Sequence, residues 1–296
     1  MGSHVETLFE ESLVNAITID VEDYFHTEAM SAVVPRTNWE FMPSRVERNT
    51  ERLFQLFADT RVCGTFFFLG WVAERFPKLV RNAVSLGHEV ACHSYWHRAI
   101  FWLTPKEFRD DTYRAKTVIE QQAQQEVVGY RAPSFSITPR VTWAFDVLEQ
   151  LGFEYDSSTN PILHDFYSNH AAPRHPHRIG RRLVELPIAT WPAFRTNIPI
   201  GGGAYMRIFP FSLMRAGLSR LQTFEKRPAM LYFHPWEIDA EQPRLPAGLK
   251  SRFRQYTGLS TMERKLRTLM REFPVATVKE AFAHELQAGC CLGRCR

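Results

Sequence analysis

The chain has 296 residues, of which 45% are hydrophobic and 13% aromatic, and its formal net charge is +4. This length suits one large domain with a sizeable core better than two small ones. Basic and acidic residues are interspersed along most of the chain, so the charge gives no case for nucleic acid or a membrane surface as a partner.

The two ends of the chain differ from its body. Residues 1–13 are predicted to be an N-terminal extension or cloning remnant, and residues 287–296 a tail with three cysteines of unassigned role, Cys290, Cys291 and Cys295. The chain shows neither a signal peptide nor an apolar run long enough to span a bilayer. We therefore expect a cytoplasmic protein without stable membrane insertion, with peripheral membrane association as the alternative.

The body, residues 14–286, opens with a strand that ends on carboxylates. Residues 14–20 form a β-branched run ending at Asp20, and a loop with Glu22 and Asp23 follows. Ser44 is then predicted to cap a helix with one apolar face. The same unit recurs as strands at residues 63–69, 89–92 and 127–130 and as helices at about 71–85, 104–125 and 139–151.

This alternation predicts an α/β fold with a parallel sheet, closed or nearly closed, and an outer layer of helices. Polar clusters follow three of the strands directly, at residues 20–23, 93–97 and 131–134. In such folds the functional groups lie at the carboxyl ends of the strands. We therefore expect these clusters to meet at one rim.

Residues 156–203 interrupt the regular pattern. Six prolines and a run of three glycines mark a long excursion with a hairpin around residues 182–187. Long loops on a barrel rim usually shape a substrate cleft. The pattern then returns as a helix at residues 211–224, a strand at 228–234 that ends on His234, and a helix at 258–271.

The strand-end groups have the composition of a hydrolytic metal site. His93 and His97 are four residues apart, a spacing that lets two imidazoles share one ion on a helical turn or a tight loop. Two histidines and one carboxylate form a common ligand set for a divalent metal. A second carboxylate can accept the proton of water, and His234 can protonate a leaving amine. These groups indicate a metal-assisted amide hydrolase.

The order of these motifs resembles the carbohydrate esterase family 4, or NodB-like, polysaccharide deacetylases. In that resemblance the segment Thr18 to Asp23 corresponds to the first motif, with Asp20 as general base and Asp23 as metal ligand. The segment His93 to His97 corresponds to the second motif and supplies two further ligands. Because the family's two aspartates are adjacent and these are not, Glu22 competes with Asp23, which we favour.

The resemblance also assigns three later positions. Arg131, in the Arg-x-Pro motif, would tether the general base, and the amide of Ser134 would help to form an oxyanion hole. Asp156 would orient the general acid, and His234 would be that acid. The fold implied is a distorted, partly open (β/α) barrel of the NodB-homology type, with residues 156–203 as a long rim insertion.

The function implied is metal-dependent N-deacetylation of a polysaccharide that contains N-acetylhexosamine, with release of acetate. The metal expected is zinc, with cobalt or nickel as alternatives, and the partner expected is an N-acetylated glycan. The segments at residues 20–25, 129–136 and 233–237 resemble the subgroup found at exosortase-linked exopolysaccharide loci, which implies an exopolysaccharide intermediate. The alternatives are a small-molecule amidohydrolase acting on cyclic ureides or imides and a catalytically silent carbohydrate-binding homologue.

Overall fold

The structure, a computed structural model, describes residues 13–165, 169–193 and 196–291, with side chains through residue 287. The predicted N-terminal extension lies outside this part of the chain except for Leu13. The predicted cysteine tail lies outside it beyond residue 291, and the side chains of Cys290 and Cys291 are not described.

Strands and helices alternate through most of this part of the chain. The strands are β1 (Asn15–Val21), β2 (Thr65–Phe68), β3 (Glu89–Cys92), β4 (Gly129–Tyr130), β5 (Tyr155–Asp156), β6 (His177–Ile179), β7 (Leu183–Glu185), β8 (Thr190–Ala193), β9 (Thr196–Pro199), β10 (Met230–Phe233) and β11 (Val275–Ala276). The helices are α1 (Val46–Thr60), α2 (Gly70–Arg75), α3 (Pro77–Ser85), α4 (Pro105–Ala123), α5 (Trp143–Gln150), α6 (Gly203–Ile208), α7 (Phe211–Arg220), α8 (Leu249–Tyr256), α9 (Leu259–Glu272), α10 (Val278–Ala281) and α11 (Ala283–Cys291).

Within the described residues, nine strands form one curled sheet in the order β10-β1-β2-β3-β4-β5-β7-β6, with β11 paired to β1. Every pairing in it is parallel except that of β6 with β7. The path ends at β10 and β6, which do not pair, so the barrel is partly open. The predicted α/β fold with a partly open, mostly parallel sheet is confirmed.

Strand β1 lies between β2 and β10, and all seven of its residues are buried. Its residue Ile19 is in register with Phe66 of β2 and Phe233 of β10. Continuous apolar runs of this kind are typical of parallel strands covered on both faces. The same register places the residues after β1 and β10 side by side at the carboxyl edge.

Two predicted elements differ from the structure in detail. The single helix predicted at residues 71–85 is divided into α2 and α3, because Pro77 lacks an N–H and keeps Phe76 out of the helical region, at φ −124° and ψ 61°. The hairpin predicted around residues 182–187 is the antiparallel pair β6 and β7. A second hairpin, β8 with β9, also lies in the rim excursion.

No helix in the described ranges combines the length and the apolar character that a membrane crossing requires.

Candidate active site

A cavity of about 410 Å³ lies at the carboxyl edge of the sheet. Its wall includes residues that directly follow strands β1, β3, β4 and β10, as the sequence predicts for a common rim. The polar side chains among them that concern the chemistry are Asp20, Glu22, His93, His97, Ser134 and His234.

Asp20 and Arg131 form a buried ion pair. Arg131 Nη1 donates to Asp20 Oδ1 at 2.6 Å, and the arginine side chain is wholly inaccessible to solvent. Arg131 is fixed by further bonds to Thr18 Oγ1 and to the carbonyl and hydroxyl oxygens of Ser157. The second oxygen of Asp20 faces His234 Nε2, at 4.0 Å. The arrangement therefore holds one carboxylate of the cavity in a fixed orientation through a charge-assisted hydrogen bond.

The two histidines converge from a tight loop instead of a helical turn. His97 has a positive φ of 49° and Ser94 one of 60°, and His97 N donates to Ser94 Oγ at 3.2 Å. His93 Nδ1 lies 2.8 Å from Arg131 O. Because a carbonyl only accepts, Nδ1 carries the proton, and Nε2 keeps its lone pair for another partner. Burial lowers the pKa of His93 to about 4, which keeps the ring neutral.

Glu22 completes a three-residue cluster with these histidines. Ligand atoms of Glu22, His93 and His97 all lie within 4.8 Å of one another, and all three residues are buried. Glu22 Oε2 is 2.7 Å from His97 Nε2, which is within hydrogen-bond distance. Two imidazole nitrogens and one carboxylate oxygen suit zinc, cobalt or nickel.

The carboxyl of Glu22 stays ionised although it is buried. Burial raises its pKa, but the electrostatic interaction and hydrogen bond with His97, followed by the charge of His234, outweigh that effect and hold the pKa well below its usual value. Trp236 Nε1 donates to Glu22 Oε1 at 3.2 Å and fixes the side chain from the other side. An ionised, oriented carboxylate is the form that can bind a cation.

Asp23, which the sequence analysis favoured over Glu22, does not join this cluster. Its Oδ2 accepts hydrogen bonds from Ser44 Oγ, Arg45 N and Val46 N, at the amino end of α1. Burial raises the pKa of Asp23 to about 6. The structure thus corrects the placement: Asp23 satisfies backbone donors of α1, and Ser44 contributes to that network as a donor instead of capping the helix itself.

His234 is paired with Glu237 and not with Asp156. His234 Nδ1 lies 3.2 Å from Glu237 Oε2, and the same oxygen accepts from His234 N at 3.0 Å. Arg207 Nε in turn donates to Glu237 Oε1 at 2.8 Å. Burial lowers the pKa of His234, but the bond to Glu237 and the charges of Glu237, Glu22 and Asp20 raise it to about 9.

Asp156 lies in a different buried network. Its carboxylate accepts from Ser158 Oγ at 2.6 Å and bonds to Glu185, whose pKa is raised well above its usual value by burial and by the charge of Asp156. Ser158 Oγ also accepts from Ala132 N at 2.8 Å. Asp156 thus supports the loop that carries Arg131, and it makes no contact with His234 among the described residues.

The sequence contains signals that favour Glu22 over Asp23 as a neighbour of the histidines and Glu237 over Asp156 as the partner of His234. In an extended chain, residues two apart point to the same side, so Glu22 shares a side with Asp20 and Asp23 does not. Glu237 follows His234 by three residues with Pro235 between them. That is the spacing at which a carboxylate at the third position of a helical turn bonds back to the residue before the turn.

Two family models match adjacent parts of the chain. A model described as polysaccharide deacetylase matches residues 38–155, and a model described as a domain of unknown function, DUF3473, matches residues 157–283. Asp20 and Glu22 precede the first matched region, and His234 lies within the second. The candidate site therefore draws on both regions and on the strand before them.

Curated relatives and a solved structure are similar to the chain. It is 25% identical over 126 residues to a peptidoglycan-N-acetylglucosamine deacetylase of Bacillus cereus, covering 38% of this chain and 46% of the relative. It is 30% identical over 99 residues to a chitooligosaccharide deacetylase of Bradyrhizobium sp., covering 33% and 43%. The matches thus span less than half of either relative.

A structure assigned as a polysaccharide deacetylase from Mycobacterium smegmatis superposes with a TM-score of 0.64 at 21% identity, covering 95% of this chain and 92% of that one. At that identity the likeness establishes the fold.

Proposed function

We propose that the chain is a NodB-like, metal-dependent hydrolase that removes acetyl groups from the N-acetylhexosamine residues of a polysaccharide, and the match of the polysaccharide deacetylase model to residues 38–155 supports this. The observation that carries the proposal is the convergence of Asp20, the Glu22–His93–His97 cluster and His234 on one cavity. The printed activities of the relatives, on peptidoglycan N-acetylglucosamine and on chitooligosaccharides, support the substrate class.

The donor set fits a divalent cation, with zinc the expected one. Glu22 Oε2 and His97 Nε2 face each other at 2.7 Å in a buried cluster with His93, and His93 Nε2 is left with a free lone pair. Glu22, His93 and His97 would hold the ion, and Glu22 takes the place that the sequence analysis gave to Asp23. When bound, the cation would supply Lewis-acid activation of the acetyl carbonyl and of water.

Different residues of the protein then carry out the separate proton-transfer steps. Asp20, oriented by its 2.6 Å bond from Arg131, accepts the proton of the attacking water. Ser134 lines the cavity, and its amide would donate to the developing oxyanion. His234 donates its Nε2 proton to the departing amine, and acetate and a free amino sugar result.

Glu237 takes the orienting role that the resemblance assigned to Asp156. Its carboxylate accepts from His234 Nδ1, so the other ring nitrogen faces Asp20 and Glu22 at 4.0 and 3.7 Å. An acceptor on Nδ1 fixes both the ring orientation and the position of the protons. Arg207 keeps Glu237 ionised, since its positive charge lowers the pKa of that carboxyl against the effect of burial.

The substrate proposed is an exopolysaccharide intermediate. The aromatic and cationic cavities that adjoin the site, described below, support a polymer over a cyclic ureide or imide. The retained and converging polar groups favour an enzyme over a silent carbohydrate-binding homologue.

The test is release of acetate. Purified protein is stripped with a chelator, reloaded with zinc, cobalt or nickel, and incubated with N-acetylated oligosaccharides. Metal should restore the release, Asp20→Asn should abolish turnover while the protein still binds metal, and His93→Ala should lose both. Absence of acetate from every glycan with every metal contradicts the proposal, and full turnover by Asp20→Asn contradicts the role of Asp20.

A further inference from the structure

Two further cavities continue from the candidate active site. One, of about 490 Å³, shares His97 and Glu28 as lining residues with the cavity that contains Asp20. Another, of about 320 Å³, shares Arg36, Thr37 and Arg98 with the second. Neighbouring cavities thus share lining residues, which is the arrangement expected if a chain-like ligand with one residue at His97 extends along them.

Aromatic rings form part of this extension. Trp39 and Trp102 line the second cavity, and Trp96 lines the third. Trp102 is 72% exposed, which leaves a large apolar surface in water beside a cavity. Covering such a ring with the apolar face of a ligand is favourable. Exposed rings at the edge of a cavity are therefore a sign of a binding surface.

Two guanidinium groups lie where the second and third cavities meet. Arg36 makes no hydrogen bond or ion pair with any described residue, and burial together with the positive charge of Arg98 lowers its pKa. Arg98 is 3.4 Å from Glu107, whose carboxylate already accepts from Thr104 N and Thr104 Oγ1. Among the described residues no carboxylate hydrogen-bonds to Arg36, and Arg98 has only the 3.4 Å contact with Glu107, although the charges of Asp111 and Glu28 act on Arg36 and that of Asp111 also acts on Arg98.

The other nearby acids accept their hydrogen bonds from groups other than these two arginines. Asp111 is buried and accepts from Tyr95 N and Trp96 N. Glu28 accepts from Ser31 Oγ at 3.2 Å. A carboxylate supplied by a ligand can bridge two arginines with charge-assisted, bidentate bonds, which hydroxyl groups of a neutral sugar match only weakly.

We propose that Arg36 and Arg98, with the ring of Trp102, form a subsite for a carboxylate-bearing sugar residue that neighbours the N-acetylated residue at the active site. The inference rests on the proposed function and narrows its substrate to an acidic glycan. The carboxylate lies between the two guanidinium groups, and the apolar face of the sugar packs on Trp102.

The test compares two tetrasaccharides of equal length. One alternates N-acetylglucosamine with glucuronate, and the other is neutral chitotetraose. Binding to the metal-loaded Asp20→Asn protein is measured by calorimetry at low salt. We expect the acidic glycan to bind about tenfold more tightly, and the difference to shrink at 0.5 M salt because exposed charges are screened.

The variants assign the preference to its residues. Arg36→Ala with Arg98→Ala should reduce the preference to about twofold or less, whereas Trp102→Ala should weaken both glycans alike. Arg81→Ala with Arg109→Ala, which removes two exposed arginines bonded to Gln122 and Gln150, is the matched control and should keep the preference. Equal binding of the two glycans, no detectable binding of either, or a preference that survives in Arg36→Ala with Arg98→Ala overturns the inference.

The proposed subsite and the proposed function can be disproved separately. If the wild-type protein releases acetate from both glycans at equal kcat/KM, the subsite is wrong and the deacetylase is not. If no glycan yields acetate but the acidic one still binds through Arg36 and Arg98, the proposed function is wrong and the subsite stands.

Discussion

Arg131 Nη1 lies 2.6 Å from Asp20 Oδ1, and neither side chain has more than 3% of its surface exposed. Removing one partner of such a pair leaves an uncompensated buried charge, which usually costs about 3–5 kcal/mol. We predict that Arg131→Met lowers the free energy of unfolding by about that amount and lowers kcat at least about a hundredfold. Chemical denaturation and acetate release measure the two effects.

Arg131→Lys is the matched control. It retains the charge but lacks the planar guanidinium group, whose separate N–H donors bond to Asp20, Thr18 and Ser157 at the same time. It should recover part of the stability and little of the activity. A Lys variant with wild-type kcat would show that the charge alone, without this geometry, is sufficient.

Glu22 and Asp23 are adjacent acids with opposite expected roles. Glu22→Gln should reduce the zinc affinity at least about tenfold, because a charged ligand is lost. Asp23→Asn should leave zinc binding intact and lower stability by about 1–2 kcal/mol, because its oxygens accept from Ser44, Arg45 and Val46. Metal analysis and denaturation of the two variants side by side decide the assignment, and loss of zinc from Asp23→Asn alone would reverse it.

Glu237 and Asp156 can be separated by kinetics. Glu237→Gln keeps the shape beside His234 but removes the negative charge, so kcat should fall about tenfold or more with KM within about twofold. Asp156→Asn, in a network that excludes His234, should act on stability first. If Asp156→Asn has the large kcat effect and Glu237→Gln has none, the orienting role belongs to Asp156.

His88 should make stability depend on pH. Burial lowers its pKa to about 4, and Gly64 N donates to its Nδ1, which favours the neutral ring. Since the unfolded ring titrates near 6.5, the unfolded state binds more protons between pH 6.5 and about 4. Stability is therefore full above pH 6.5 and falls by up to about 3 kcal/mol as the pH drops to 4.

Denaturation of wild type and His88→Phe across pH 4 to 8 checks this expectation. The variant keeps the ring packing against Phe54 and Phe66 but cannot titrate. The wild type should lose more stability than the variant on acidification. Parallel pH profiles for the two proteins would assign the acid sensitivity to other groups.

The fold was predictable because short apolar strands alternate with amphipathic helices along the sequence, and this alternation indicates a parallel sheet. The rim could also be anticipated, since parallel strands that end on Asp20, His93 and Arg131 must share an edge. The backbone conformation of the loop after each strand does not follow from the pattern of apolar residues. Whether Glu22 or Asp23 faces His97 depends on the residue at which the extended backbone of β1 ends. The partner of His234 depends on the turn that begins at Pro235.

The position of β1 between β2 and β10 has a consequence for dissecting the protein. The region matched by the deacetylase model contributes His93, His97 and Arg131, whereas Asp20 and Glu22 come from the segment before it and His234 from the region after it. A fragment limited to residues 38–155 would lack both carboxylates and the acid, together with strand β1, which joins β10 and β11 to β2. The proposed chemistry needs side chains as far apart in the sequence as Asp20 and His234, so any truncation that removes the first strand should abolish folding and activity together.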